Sequence, residues 1–299
     1  MSRADLPFFV VGSARSGTTM LRLMLNAHPE VAVPPESRFV VDLYTGSDEV
    51  DTSALLTRLA QHERFEAWEL PIEAVRGELG SAMRAPYSDV MRAAYRAYAR
   101  LQGKPRWGDK TPRYVEHLDL LSRLFGDARF IHLIRDGRNV ALSYADVPFG
   151  PKTIAAAADL WARRVSAGMR VGRALEHRYL ELRYEDLVED AAGEIKTLCE
   201  FLELDFDPGM LDYTERARDA VLPRAANFNP NVTRKPMSNV RAWETAMPDD
   251  QIEVFEAVAG PVLSDLGYPR RYPSPSRAAR LKASVGRAGV PVGRLRGAR

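Results

Sequence analysis

Short apolar runs and stretches of helical periodicity alternate along the chain. Leu6-Pro-Phe-Phe-Val-Val11 is rich in β-forming residues and is closed by Gly12, and Thr18–Ala27 follows with apolar residues at Met20, Leu21, Leu23, Met24 and Leu25. The first reads as a buried parallel strand and the second as the helix it feeds. Arg129-Phe-Ile-His-Leu-Ile134 repeats the pattern, with a helix expected over Gly137–Tyr144, and Tyr179-Leu-Glu-Leu-Arg183 precedes helical periodicity over Glu185–Phe201. Three strand-then-helix units predict an α/β fold, a parallel sheet flanked by helices.

Between the first two units, residues 38–104 show helical periods broken at Gly46, Pro71, Gly80 and Pro86 and no strand alternation. They read as a helical insertion over one end of the sheet. Ile154–Leu175 is a further long helix whose stripe, with Trp161, belongs to the core. Residues 222–248 carry four prolines and read as a long irregular segment, the kind that serves as a lid or binding loop. The expected organisation is one domain over residues 1–269, with a flexible tail over 270–299.

Charge sharpens that boundary. Nine of the 42 Lys and Arg residues and no acid fall in 270–299, which leaves the first 269 residues with 33 basic and 40 acidic groups, a net of −7. An acidic body argues against nucleic acid as a partner, whereas the tail suits weak contact with an anionic membrane. A hydrophobic content of 45% and the 299-residue length support a full core without crosslinks. Cys199 is the single cysteine, and the five histidines show no ligand spacing, so neither a disulfide nor a metal site is expected. Leu6–Val11 is too short for a signal peptide core or a membrane span. These features predict a cytoplasmic protein, membrane-associated at most through its tail.

Two motifs carry chemistry. Gly12-Ser-Ala-Arg15-Ser16-Gly17-Thr18-Thr19 has the spacing of a phosphate-binding P-loop between a strand and a helix, with Thr18 where nucleotidases place their Lys. Its glycines let backbone N–H groups converge on an anion at a helix N-terminus. Without the Lys, and with no acid run to hold Mg²⁺, the loop suits a shorter anion bound without metal. Arg135-Asp-Gly-Arg-Asn-Val-Ala-Leu-Ser143 stands at the C-terminal end of a second strand, where open α/β sheets bind ligands, and Arg135 and Ser143 can share one phosphate.

In this order the two motifs resemble the 5′-phosphosulfate loop and the 3′-phosphate motif of sulfotransferases that use 3′-phosphoadenosine 5′-phosphosulfate (PAPS). The likeness spans roughly residues 6–260 and is nearest to the tyrosylprotein branch and its bacterial relatives. It implies a P-loop-like sheet and PAPS as co-substrate. Arg15, Ser16, Gly17, Thr18 and Thr19 then hold the 5′-phosphosulfate, and Arg135 and Ser143 the 3′-phosphate. Pro35-Glu36-Ser-Arg38 is similar to the segment bearing the catalytic Glu, which makes Glu36 the general base and Arg38 its companion. Asp109-Lys110-Thr-Pro112 matches the segment whose Lys stabilises the transferring sulfonate. Tyr184 falls where the family contacts adenine, and Arg234 and Lys235 where a C-terminal loop closes on the nucleotide. The insertion becomes the acceptor side, for a small-molecule, lipid, glycan or peptide hydroxyl or amine. As base, Glu36 calls for a pKa near working pH, which a partly dry cleft can supply.

The departures are specific. The loop has no Lys, so Arg15 must serve at the bridging oxygen; Lys235 is followed by Pro236; and residues 215–232 contain no serine to pair with it. Two other readings use the same features: a metal-dependent kinase or nucleotidase, and a non-enzymatic nucleotide-binding adaptor tethered by its tail.

Overall fold

The computed structural model describes residues 6–213 and 242–288. These divide into two compact units, one of residues up to Ile134 with 168–213, the other of Arg135–Ala167 with the residues from 242 onward.

The first unit is built on a five-stranded sheet of order β2-β5-β1-β6-β7, from β1 (Phe8–Gly12), β2 (Val31–Ala32), β5 (Arg106–Lys110), β6 (Arg129–Ile134) and β7 (Tyr179–Arg183). Every pairing is parallel, with Phe8 opposite Gly108 on one side and Arg129 on the other. Alternation along β1 explains both faces. Phe9 and Val11 join the core beneath the 38–104 insertion, whereas Phe8 and Val10 join a core with α1 (Thr18–Ala27) and the helix Ala191–Leu202. Gly108 is required by its neighbour, because a Cβ there would lie 2.2 Å from the Phe8 ring. This is the expected α/β architecture.

Two strands go beyond the sequence reading. β5, Arg-Trp-Gly-Asp-Lys, lies beside β1 and is buried at every position. Its charged residues hid it from a search for apolar runs. β2 has only two residues and lies at the sheet edge. The insertion is helical as expected, but it also contains an antiparallel pair, β3 (Glu49–Asp51) with β4 (Arg84–Pro86). Glu185–Phe201 is interrupted at Asp190, whose carboxylate accepts from the Gly193 N–H and caps the second helix.

The second unit contains the helix Gly137–Tyr144 and is centred on Arg138, whose guanidinium is wholly buried. It donates to Asp136 Oδ2 and Glu256 Oε1, each at 2.7 Å, and to the Pro269 carbonyl at 2.8 Å, and it lies 3.5 Å from the centre of the Trp243 ring. Glu256 also accepts the backbone N–H groups of Arg271 and Tyr272. The start of the basic segment is thereby pinned, and the expected tail boundary shifts. Residues 277–288 form a helix that seats Ala279 and Ala283 against Ala155 and Val254; the rest of the basic segment, from 289 on, lies outside the described residues. Small buried alanines on one face, with arginines on the other, allow a basic segment to fold.

Replacing Arg138 with Met should strand two buried carboxylates and destabilise the fold by about 3–5 kcal/mol. Thermal unfolding of the variant checks this, and an unchanged melting temperature would contradict it.

Candidate functional site

At the C-terminal end of β1 the chain turns through Ser13–Gly17 into α1. Arg15 and Gly17 both adopt left-handed backbone, at φ 73° and 93°. A non-glycine residue held there is strained, a cost that concentrates at functional sites. Gly17 is also obligatory by space, since a Cβ would lie 2.4 Å from the Tyr184 ring. Tyr184 therefore covers the loop. The first turn of α1 has no side-chain cap and no acidic residue, so its N–H groups and positive dipole end are kept for something else. Ser16 is fully buried, and its hydroxyl has no hydrogen-bond partner among the described residues. A buried hydroxyl beside an uncapped helix end fits an anionic ligand group.

Lys110, at the end of β5, is the cation of the site. It is 4% exposed, and its Nζ donates to Glu36 Oε1 at 2.7 Å and to Thr19 Oγ1 at 3.5 Å. The structure thus brings together three elements far apart in sequence: the loop, the Glu36 segment and β5. Burial lowers the Lys110 pKa, although Glu36 opposes the shift. Burial pushes the Glu36 carboxyl upward, but Lys110, Arg64 and Arg22 together outweigh it and hold it below the usual glutamate value. The expectation of a carboxyl near neutrality is corrected: beside this ammonium Glu36 stays ionised well into acid.

The insertion fixes the Glu36 segment. Trp68 Nε1 donates to the Pro35 carbonyl at 2.8 Å, and Tyr87 Oη donates to the Val40 carbonyl at 3.0 Å. The Ser37 N–H donates to Thr111 Oγ1 at 3.1 Å, and Ser37 Oγ lies 2.8 Å from Tyr114 Oη. Arg38, at φ 49°, turns away to Asp42 and Glu63, 3.9 Å from each, so no contact places it on Glu36.

Arg22 is a buried cation that does act on Glu36. It is 6% exposed on α1 and donates to the Val33 carbonyl at 3.0 Å. The sequence reading missed it and Arg64. An arginine within Met-Leu-Arg-Leu-Met-Leu, where an apolar residue belongs, was the available signal for Arg22. Arg64 gave none. His28 is a loop-shaping residue: its ring bonds the Asp205 carbonyl and accepts the Glu30 N–H.

In the second unit, Arg135 and Ser143 are 8% and 2% exposed. The Arg135 carbonyl accepts from Trp161 Nε1 at 3.1 Å, and Asp136 caps the helix that carries Ser143. Arg234 and Lys235 lie outside the described residues.

A parallel α/β sheet with a P-loop-like turn, and a buried Lys110 paired with a partly exposed Glu36 at its C-terminal edge, is an arrangement suited to an anionic group. Residues 7–208 match the sulfotransferase family, and the chain belongs to it. It is a transferase. Nodulation protein NoeE of Sinorhizobium fredii is 30% identical, over 90% of this chain and 67% of its own length. Protein-tyrosine sulfotransferase 1 of Danio rerio is 28% identical, over 88% and 73%. Among solved structures, the sulfotransferase domain of the curacin biosynthetic pathway has the same fold, with a TM-score of 0.64 at 23% identity, covering 90% of this chain and all of that one.

Removing the ammonium while keeping the burial should raise the Glu36 pKa. Lys110→Met is expected to move its carboxyl ¹³C titration upward. An unmoved midpoint would show that the ion pair does not set the carboxyl's charge.

Proposed function

We propose that the chain transfers a sulfonate from PAPS to a hydroxyl or amine of an acceptor, releasing 3′-phosphoadenosine 5′-phosphate. The observation that carries this reading is the Lys110–Glu36 pair, 2.7 Å apart, in contact with a loop whose Ser16 hydroxyl and helix end suit an anion. In this account Arg15, Ser16, Gly17, Thr18 and Thr19 hold the 5′-phosphosulfate and Tyr184 contacts the adenine. Arg135 and Ser143 hold the 3′-phosphate, with Arg234 and Lys235 closing on the nucleotide. Lys110 draws toward the sulfonate as its bond to the 5′-phosphate breaks. That withdrawal raises the basicity of Glu36, which takes the acceptor's proton as the new bond to sulfur forms. Arg22 supports Glu36 in the part expected of Arg38. As in phosphoryl transfer, positioning and charge stabilisation do most of the work.

The insertion over 38–104 forms the acceptor side. Relatives named for protein tyrosine favour a peptide or small phenol as the first acceptors to try. Among the described residues no helix is long and apolar enough to cross a membrane. A cytoplasmic site of action fits the single buried Cys199, and exposed Arg277 and Arg280 leave the basic segment available to an anionic membrane.

Labelled PAPS offered with phenols, tyrosine peptides, amines and glycans tests the reaction. Transfer without added metal is expected, falling roughly 10²–10⁴-fold in Glu36→Gln with donor affinity unchanged. Magnesium-stimulated ATP turnover would instead establish the kinase reading, and nucleotide binding without transfer to any acceptor the adaptor. Calorimetry should show 3′-phosphoadenosine 5′-phosphate binding far more tightly than AMP, a preference lost in Arg135→Ala. Equal affinities would overturn the assignment of the donor.

A further inference from the structure

Beneath the Pro35–Arg38 segment lies a buried acid, Asp109, that the reaction as described does not use. Side chains alternate along β5 and beyond it, so Lys110 meets Glu36 and Thr19, whereas Asp109 and Thr111 point to the other face. The crossing segment alternates too: Glu36 goes to Lys110 and Ser37 to Thr111 and Tyr114. Asp109 is wholly buried. Its Oδ2 accepts from Tyr95 Oη at 2.8 Å, and Tyr95 is itself fixed by stacking on Trp107 at 4.3 Å. Its Oδ1 has no hydrogen bond of good geometry among the described residues, and the Ser37 and Thr111 hydroxyls are the polar groups that act on it. An uncharged isostere would avoid most of that desolvation cost, so a stability role does not explain the carboxylate.

The charges around it supply a reason. Arg22 and Lys110 are buried cations, and Glu36 is their counter-ion before turnover. Once Glu36 has accepted a proton it no longer offsets them, and Lys110 depends on the donor's anionic groups and on whatever fixed charge stands behind it. We propose that Asp109 is a positioning residue that acts through Lys110: from the opposite face of β5 it is the second counter-charge that keeps Lys110 cationic and in place while Glu36 is protonated. The inference rests on the reading of Glu36 and Lys110 as the reacting pair.

It has a pH signature. The titratable groups acting on Asp109 are Tyr95 from the helix Tyr87–Leu101 and Tyr114 from the turn Pro112–His117 on its own face, and Lys110 across its own strand. Burial raises both phenols well above their usual range, so they stay neutral. Burial also raises Asp109, to about 6, while Glu36 lies below its ordinary value. An acidic limb near pH 6 therefore belongs to Asp109 and not to the base. The sign of the stability term follows. A carboxyl raised on folding favours the fold at low pH, and that contribution is lost as pH rises through about 6.

The test uses the full chain labelled with ¹⁵N-lysine, which has six lysines to assign. The Lys110 Nζ signal is expected to shift with a midpoint near 6 in the parent. The step should vanish in Asp109→Asn and move upward in Tyr95→Phe, which removes a hydrogen bond to the carboxylate. At pH 8 the Asn variant should melt no lower than the parent. With an acceptor from the panel, its kcat should fall about tenfold with donor KM unchanged, the size of a lost charge–charge interaction across a partly buried strand. No step near 6 in the parent, a step that survives in Asp109→Asn, or an unchanged kcat would overturn the proposal. A chain that shows the step and transfers no sulfonate would overturn the proposed reaction and leave the electrostatic coupling standing.

Discussion

The ion pair between Lys110 and Glu36 is the constraint around which the first unit is arranged. Each partner comes from an element that would be differently composed without it. Lys110 ends a strand in the middle of a parallel sheet, where an apolar residue would be the ordinary choice. Glu36 rides on a short crossing segment held by the tips of Trp68, Tyr87 and Tyr114, three buried aromatic side chains whose polar ends reach backbone carbonyls or Ser37. Aromatic residues suit that duty because one end fills the core while the other donates. The insertion is thus both the wall of the acceptor side in the proposed reaction and the clamp that sets the position of its base.

Such a site works against stability. Arg22, Asp109 and Lys110 are each less than a tenth exposed, and taking charges out of water is costly even when they are paired. The strained backbone of Arg15 and Arg38 adds to that cost. Compensation comes from apolar layers on both faces of the sheet, in which Phe9 stacks on Phe130 at 5.6 Å and meets Phe125, Tyr114 and Trp107. The second unit has its own buried ionic node at Arg138, where three partners and the Trp243 ring satisfy the guanidinium. That node also explains why Arg271 and Tyr272 begin an ordered segment.

Legibility in the sequence tracked how closely each element obeyed its local pattern. β1, the loop after it and α1 were readable because an apolar run, glycines and a helical period followed in order. The Arg135–Ser143 motif was readable for the same reason. β5 was not, since Arg106, Asp109 and Lys110 broke the apolar signature that identifies a central strand, and Lys110 is the one that meets Glu36. Glu36 and Lys110 were reached through resemblance, since nothing local in either segment says that they meet. The companion cation was placed at Arg38 through the same resemblance, whereas the cations that act on Glu36 in the structure, beside Lys110, are Arg22 on α1 and Arg64. The basic segment looked unfoldable from charge and glycine content, yet Ala279 and Ala283, spaced four apart, give its helix a face to bury.

The central claim is that Lys110 is shared between the base and the transferring group. A crystal structure of the chain with 3′-phosphoadenosine 5′-phosphate and a sulfonated acceptor bound tests it most directly. The account predicts Lys110 Nζ within hydrogen-bond distance of the sulfonate, Ser16 Oγ bonded to the 5′-phosphate, and Glu36 released toward the acceptor oxygen. A nucleotide bound away from the loop, with Lys110 still paired to Glu36 alone, would contradict it.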